Sequence, residues 1–562
     1  MIYYPDEFGY WASAAKWVGY DWSSLTALSS YYSFGYSVLL APILKVCGDG
    51  VSAYRTAVAL NMLLQAAAMP MLYGILRRLF PETPGMSATC AVGIALFYPV
   101  WNFYAQTTLA EGLLFFLYIA IAYLMACTVS DVRLGTLLLL VGGLIYICLV
   151  HMRTIGIAAA AVVVLLLRLW REPAYRRKML IGFIALAVGA VCGVMMYFTV
   201  LRSVYGNTDR ELLAVNGITG QFSRVLAVCT GEGFRRFVCG CTGKLYYLGA
   251  ASFGLVYYTL AYLGQKGVGF IRKIRSGRVI TAEEWMSLFL LMSFAGQFLV
   301  TAVYMNNPRR VDEVVYGRYN DYLVPAFMGI GVIILYRCRS LGRNTAAAIA
   351  LQTAMFPAVL YGEKMYGGSE VQGYFMAGIG YLVNDLEFDV MPDMAAIFLL
   401  GNLMTLLFSL CIWTGRSRRA SVCAMSLIVC AEIVLGMGLH HKYTYRFNEL
   451  IGVEVRLAGE LEEMGGKVPI TYLYGGGITY IDVIQFQLPE WEISVVPEEW
   501  TRMITIQKGQ PVAQGQDGGA AALSGYVFLD ADSAYREQMD SYRRPCAESS
   551  YFVVYDWRGQ KE

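Results

Sequence analysis

Hydrophobic and polar positions fall along this chain in long blocks. Apolar runs near the length needed to cross hydrocarbon, roughly 17–25 residues, occur at 52–79, 87–103, 107–128, 134–150, 153–170, 179–201, 246–264, 284–305, 321–337, 344–361, 394–413 and 420–439. This pattern predicts a polytopic α-helical membrane protein of about 12 or 13 spans. The apolar patch 34–47 is shorter and interrupted by Pro42 and Lys45, so it reads as a surface-lying or re-entrant helix. After about 440 the pattern changes. Short β-rich runs around Val468, Tyr480, Glu492, Tyr526 and Tyr551 are bounded by Gly, Pro and acids, and Val453–Met464 reads as an amphipathic helix. Two domains follow: a membrane domain over 1–440, opening with an outer loop at 1–51, and a small α/β domain over 441–562.

Composition agrees with the pattern. Of 562 residues, 57% are hydrophobic and only 15% charged, a profile of membrane helices and not of a large soluble core. The net charge of +3 decides little, but the placement of charge decides the topology. Basic clusters fill every second gap: Arg77-Arg78, Arg133, Arg168 to Lys178, Lys266 to Arg278, Arg337 to Arg343 and Arg416 to Arg419. These gaps are expected in the cytoplasm. The intervening gaps carry Glu232, Asp312, Glu313, Glu363 and Asp385 to Asp393, and are expected outside. An even number of spans then puts Met1 and the C-terminal domain on the outer face of a plasma membrane. The long segments 1–51, 202–245 and 362–393 share that face, which suggests that the chemistry lies there. The sequence starts inside an outer loop, which leaves open that a first transmembrane helix is missing.

Some chemistries are disfavoured. His151, His440 and His441 are the only histidines, too few and too scattered for a zinc site or a histidine triad. Most of the 13 cysteines lie in apolar runs; Cys229, Cys239 and Cys241 share one outer loop, where a disulfide is an option. The glycines of Tyr474-Gly475-Gly476-Gly477 read as a tight strand-to-helix turn in preference to a phosphate cradle. Four outward features remain. Asp6-Glu7 is an adjacent acid pair, and Glu111 is a carboxylate at the outer end of an apolar helix. Arg153 lies in an outer turn, and Arg318 lies in Gly317-Arg318-Tyr319-Asn320-Asp321-Tyr322 ahead of Pro325. Each has a plain alternative as an interfacial acid, a lipid-facing arginine or an aromatic-belt anchor. Together, carboxylates that bind a hard cation or accept a hydroxyl proton, beside arginines that neutralise phosphate, suit a lipid-linked phosphosugar.

These motifs resemble the GT-C superfamily of membrane glycosyltransferases, and most nearly its branch of protein O-mannosyltransferases and lipid A aminoarabinose transferases. The likeness rests on the acidic pair Asp6-Glu7 in an outer loop, the aromatic segment Tyr31 to Pro42, Arg55, Glu111, the Arg153 turn and Arg318-Tyr319 before a proline-containing helix. It implies inverting transfer of a sugar from a polyprenyl-phosphate carrier to an extracytoplasmic glycan, lipid or protein. Asp6 and Glu7 would be catalytic, and Arg55, Glu111, Arg153, Arg318 and Tyr319 would bind substrate, with Arg153 and Arg318 on the donor phosphate. Glu7 and Glu111 would be candidate ligands if a divalent cation, Mg2+ or Mn2+, takes part. Membrane lipids are expected partners and nucleic acid is not. The competing readings are a multi-span transporter or flippase of lipid-linked saccharides, which usually shows an internal repeat not seen here, and an inactive glycan-binding assembly protein.

Overall fold

The computed structural model describes residues 4–216, 218–306, 310–338, 340–366, 372–380, 393–414, 418–502, 504–507, 510–515 and 519–558. Much of the predicted outer segment 362–393 lies outside the described residues. Helices dominate because the apolar runs can satisfy their backbone hydrogen bonds within one segment, the condition a bilayer imposes. Among the described residues, eight helices are long and apolar enough to cross a membrane: Gly50–Leu79, Ala110–Ser130, Met152–Arg171, Pro173–Val204, Ala282–Tyr304, Leu341–Met365, Met394–Thr414 and Val422–Tyr445. A ninth is added if Gly85–Leu96 and Pro99–Ala105, bent by 56° at their junction, count as one broken span. Leu180, Ile184, Val188, Val191 and Met195 are exposed along one of these helices, as lipid-facing side chains must be.

Other expected runs form apolar helices that are shorter or broken, for local reasons. The run 134–150 forms a single 17-residue helix. The run 246–264 is split between Gly231–Ala251 and Leu255–Arg275. At the split Phe253 and Gly254 take φ of 52° and 77°, left-handed values that end a helix. The run 321–337 becomes a 14-residue helix, Val324–Arg337, sunk in the bundle core. Hydropathy cannot register such breaks, because the residues that make them are themselves apolar.

Residues 1–51 are more ordered than a loop. Helix Pro5–Val18 buries one residue after another from Glu7 to Ala15. Ser37–Cys47 is an 11-residue helix, too short to span, with Pro42 inside it. The last membrane helix passes through a π turn at His440–Tyr445 into Arg446–Glu463, so position 440 marks no interruption of the backbone. Beyond it lie strands β1 (Ile470–Tyr474), β2 (Ile493–Pro497), β3 (Ile504–Gln507), β4 (Gln510–Gln514), β5 (Ala520–Ala522), β6 (Gly525–Asp530), β7 (Ala547–Glu548) and β8 (Phe552–Trp557). The main sheet runs β2-β1-β6-β8-β7, with β1 parallel to β2 and β6, while β3-β4-β5 form a separate antiparallel sheet. The triple glycine connects β1 to helix Thr479–Gln487, and Gly476 has φ of 132°, the turn read from the sequence, while the run from Tyr480, expected as a strand, is helical. This domain docks on the N-terminal helix: the Trp11 and Phe486 rings lie 5.1 Å apart, and the Trp22 indole donates to the Pro489 carbonyl at 2.9 Å.

Candidate active site

Adjacent acids on a helix point about 100° apart, and here that rotation separates their roles. Glu7 faces inward and is fully buried. Its carboxylate accepts from the Tyr4 backbone N–H, the Tyr54 hydroxyl and both the N–H and hydroxyl of Thr108. It thereby caps its own helix and ties it to Gly50–Leu79 and to the turn before Ala110. Asp6 faces outward, its side chain 30% exposed, into a cavity of about 1170 Å3.

Asp6 meets two residues remote in sequence. Arg318 donates from Nη1 to Asp6 Oδ2 at 2.6 Å, from Nε to Glu111 Oε1 at 2.6 Å and from Nη2 to Glu111 Oε2 at 3.3 Å. The Tyr32 hydroxyl donates to the second Asp6 oxygen at 2.8 Å. Glu111 is fully buried in the first turn of its helix, where the helix dipole favours an acid. The loop carrying Arg318 is held by Gly317: a Cβ there would overlap the Tyr247 ring, and the Gly317 and Arg318 N–H groups both donate to the Phe375 carbonyl. Three residues on, Asp321 accepts from Tyr98 and Tyr247. Burial alone would raise the Asp6 carboxyl, but the Arg318 guanidinium and the Tyr32 hydroxyl outweigh it and hold Asp6 below the usual aspartate range. Burial likewise opposes the charge on Arg318, and Glu111 and Asp6 more than restore it.

The far wall of the cavity is cationic and aromatic. The Arg153 guanidinium sits 3.4 Å from the Tyr304 ring centre and 4.2 Å from that of Tyr319. Arg224 sits 3.8 Å from the same Tyr304 ring. Such stacking fixes a planar guanidinium while leaving its edge N–H groups directed elsewhere. Arg310, paired with Asp312 at 3.0 Å, lines the same space.

Of the residues singled out in the sequence, Asp6, Arg153, Arg318 and Tyr319 line this one cavity, and Glu111 closes it from behind Arg318. Three placements differ from expectation. Arg55 is exposed on the Gly50–Leu79 helix and outside the cavity lining, while its neighbour Tyr54 reaches Glu7. Glu7 is a structural anchor, saturated by protein donors. Arg318 is engaged through all three guanidinium nitrogens by carboxylates, so it has no fork to offer a phosphate in this arrangement. The donor set for a divalent cation also does not fit: Glu7 is occupied by four donors and Glu111 by Arg318. Among the described residues no three His, Cys, Asp or Glu side chains gather as ligands. Cys229, Cys239 and Cys241 are unbridged. Arg224 and Tyr304 carry no mark in the sequence, since aromatic and basic residues are common beside a membrane, and Tyr32 is one of several tyrosines in the segment Tyr31 to Pro42; their convergence is a tertiary fact.

The structural role of Glu7 is measurable. Glu7→Gln is expected to lower stability by about 1–3 kcal/mol, the range for weakening a buried charged hydrogen-bond set. Thermal unfolding in detergent checks it, and an unchanged midpoint would contradict the anchoring role.

No family model matches the chain, and no curated protein matches it. Solved structures do share its fold. One is ArnT from Cupriavidus metallidurans bound to undecaprenyl phosphate, with a TM-score of 0.53 at 14% identity. Another is the same protein in the apo state, with a TM-score of 0.52 at 14% identity. Each likeness covers 100% of this chain and 95% of the other. The chain thus shares the fold of this ArnT along its whole length.

Proposed function

We propose that this protein is a membrane glycosyltransferase that takes a sugar from a polyprenyl-phosphate carrier and passes it, with inversion, to an acceptor on the extracytoplasmic side. The observation that carries the reading is one carboxylate, Asp6, opening into a large cavity whose other wall presents stacked arginines, beside helices suited to a bilayer. The ArnT fold and that neighbour's bound undecaprenyl phosphate support the same reading.

In this scheme the acceptor hydroxyl oxygen bonds to the anomeric carbon as the bond from that carbon to the phosphate oxygen breaks. Asp6 takes the hydroxyl proton and later releases it to solvent. Its depressed pKa makes it a weak base, so transfer comes late, once bond formation has made the hydroxyl acidic. Arg318 and Tyr32 orient Asp6, and Glu111 balances the charge of Arg318. Arg153 and Arg224 stabilise the negative charge that builds on the departing phosphate, a role that passes from Arg318 to Arg224 on the geometry above.

The test is incubation of the purified protein with a panel of polyprenyl-phosphate sugars and candidate acceptors. Release of free polyprenyl phosphate together with a glycosylated acceptor is expected. Arg153→Ala and Arg224→Ala should each lower turnover about 10–100-fold, the scale of one lost transition-state donor or somewhat less. Movement of intact donor across proteoliposomes with no sugar release would replace the reading with transport.

A further inference from the structure

His151 lines the same cavity as Asp6, and the transfer scheme above gives it no task. It opens the turn that carries Arg153, and its backbone is fully engaged. Its N–H donates to the Ile147 carbonyl at 3.0 Å, and its own carbonyl accepts from the Thr154 N–H at 3.0 Å and hydroxyl at 2.9 Å. The ring is held at two points. Nδ1 accepts from the Arg153 backbone N–H at 3.3 Å, and the ring centre lies 5.4 Å from that of Tyr319.

The first contact decides where the imidazole carries its proton. Only a bare ring nitrogen can accept an N–H, so the hydrogen of the neutral ring sits on Nε2. Turning the ring over would set a carbon against the Arg153 N–H and leave that donor unmet. A second proton would break the contact, and the surroundings oppose it. Burial and the Arg153 and Arg318 cations hold His151 well below the usual histidine range. Nε2 lies on the ring edge remote from the tethered Nδ1, and among the described residues nothing accepts from it.

We propose that His151 is a further substrate-binding residue, a neutral donor whose Nε2–H bonds the phosphate of the polyprenyl-phosphate sugar. The assignment rests on the donor reading given above. Arg153 stacks on the same Tyr319 ring, 4.2 Å from its centre, so a phosphate held at Arg153 offers a further oxygen to the His151 edge. The chemistry suits a neutral group. As the bond from the anomeric carbon breaks, its electron pair goes to the phosphate oxygen. The phosphomonoester so formed has a second pKa near ~6, so it leaves without taking a proton. The site must stabilise charge and has no hydrogen to deliver. A neutral imidazole does this without adding a cation beside Arg153, Arg224 and Arg318.

The experiment is thermal-shift titration of the full-length protein in detergent with undecaprenyl phosphate, which carries no sugar. The midpoint without lipid reports the folding of each variant. His151→Phe keeps a ring against Tyr319 and loses both nitrogens, and should bind about 10–100-fold more weakly, the scale of one hydrogen bond to a charged group. His151→Gln carries an amide N–H near the Nε2 position and should recover most of that loss. His151→Asn can keep the contact to the Arg153 N–H but cannot reach the phosphate, so it should resemble Phe. The ratio of wild-type to Gln affinity should stay flat between about pH 5 and 8, because the lipid's own titration cancels in it. Equal binding by wild type and His151→Phe overturns the proposal. Recovery by Asn and not by Gln would make His151 a positioning residue for Arg153, and overturns it. A wild-type advantage over Gln that grows as pH falls would show a cationic imidazole, and overturns it too. Unchanged lipid binding with slowed sugar transfer would move His151 to the sugar, which also overturns it. A wild type that ignores undecaprenyl phosphate overturns the donor reading and this assignment with it, an outcome distinct from all of these.

Discussion

Arg318→Ala is expected to be the most damaging single substitution in the molecule, lowering stability by about 3–5 kcal/mol and turnover below detection. Arg318 is 2% exposed and pairs with both Asp6 and Glu111. Its removal leaves Glu111 charged, fully buried and without its counter-ion, the situation in which breaking a buried pair costs most. Asp6 would lose the contact that aims it into the cavity. Arg318→Lys keeps the charge and loses the fork, so it can serve one carboxylate but not both. It should fall between Ala and wild type in both thermal unfolding and transfer assays. Equal stability of Arg318→Ala and wild type would show that the bridge does not hold the site together.

Asp6→Asn should keep the fold and lower turnover by about 100-fold or more, the scale for loss of a general base. The substitution is isosteric, and the amide oxygen can still accept from Arg318. A small loss of stability separates it from the Arg318 variants. The pH profile is a second check. The Asp6 carboxyl is held below its ordinary value near 3.9, and in the proposed reaction the ionised form is the active one. Activity of the wild type should therefore persist as pH falls to about 4 and be lost only below it. The stability that the Asp6–Arg318 pair contributes follows the same sign: it is present above the unfolded-state value and is lost as pH falls through the folded one. Wild-type turnover in Asp6→Asn would place the base elsewhere in the cavity.

Much of this site could be nominated from the chain alone. Asp6, Glu111 and Arg318 each stand out as charge at the end of an apolar run, where an ionisable residue is unexpected. Sequence could not say that they touch, because the pairings span 207 and 312 residues. Nor could it separate Asp6 from Glu7. Both are acids in the first turn of one helix, and only the neighbours on each face make one an anchor and leave the other open. Arg55 shows the opposite failure, a residue placed in a site by motif order that the helix turns to the outside. Arg224 sits in a segment of unremarkable composition, and only its stacking on Tyr304 distinguishes it.

The membrane class, the helical character of the long apolar runs and the presence of strands toward the C-terminus were determined by sequence itself. Transfer from water to hydrocarbon is a sum over residues, and a sum survives in one dimension. The breaks at Phe253 and at Phe97–Pro99, the burial of Glu7 and the three-way contact of Asp6, Arg318 and Glu111 were decided only by tertiary structure. These depend on which groups come within hydrogen-bonding distance, a property of the packed chain with no counterpart in the order of its residues.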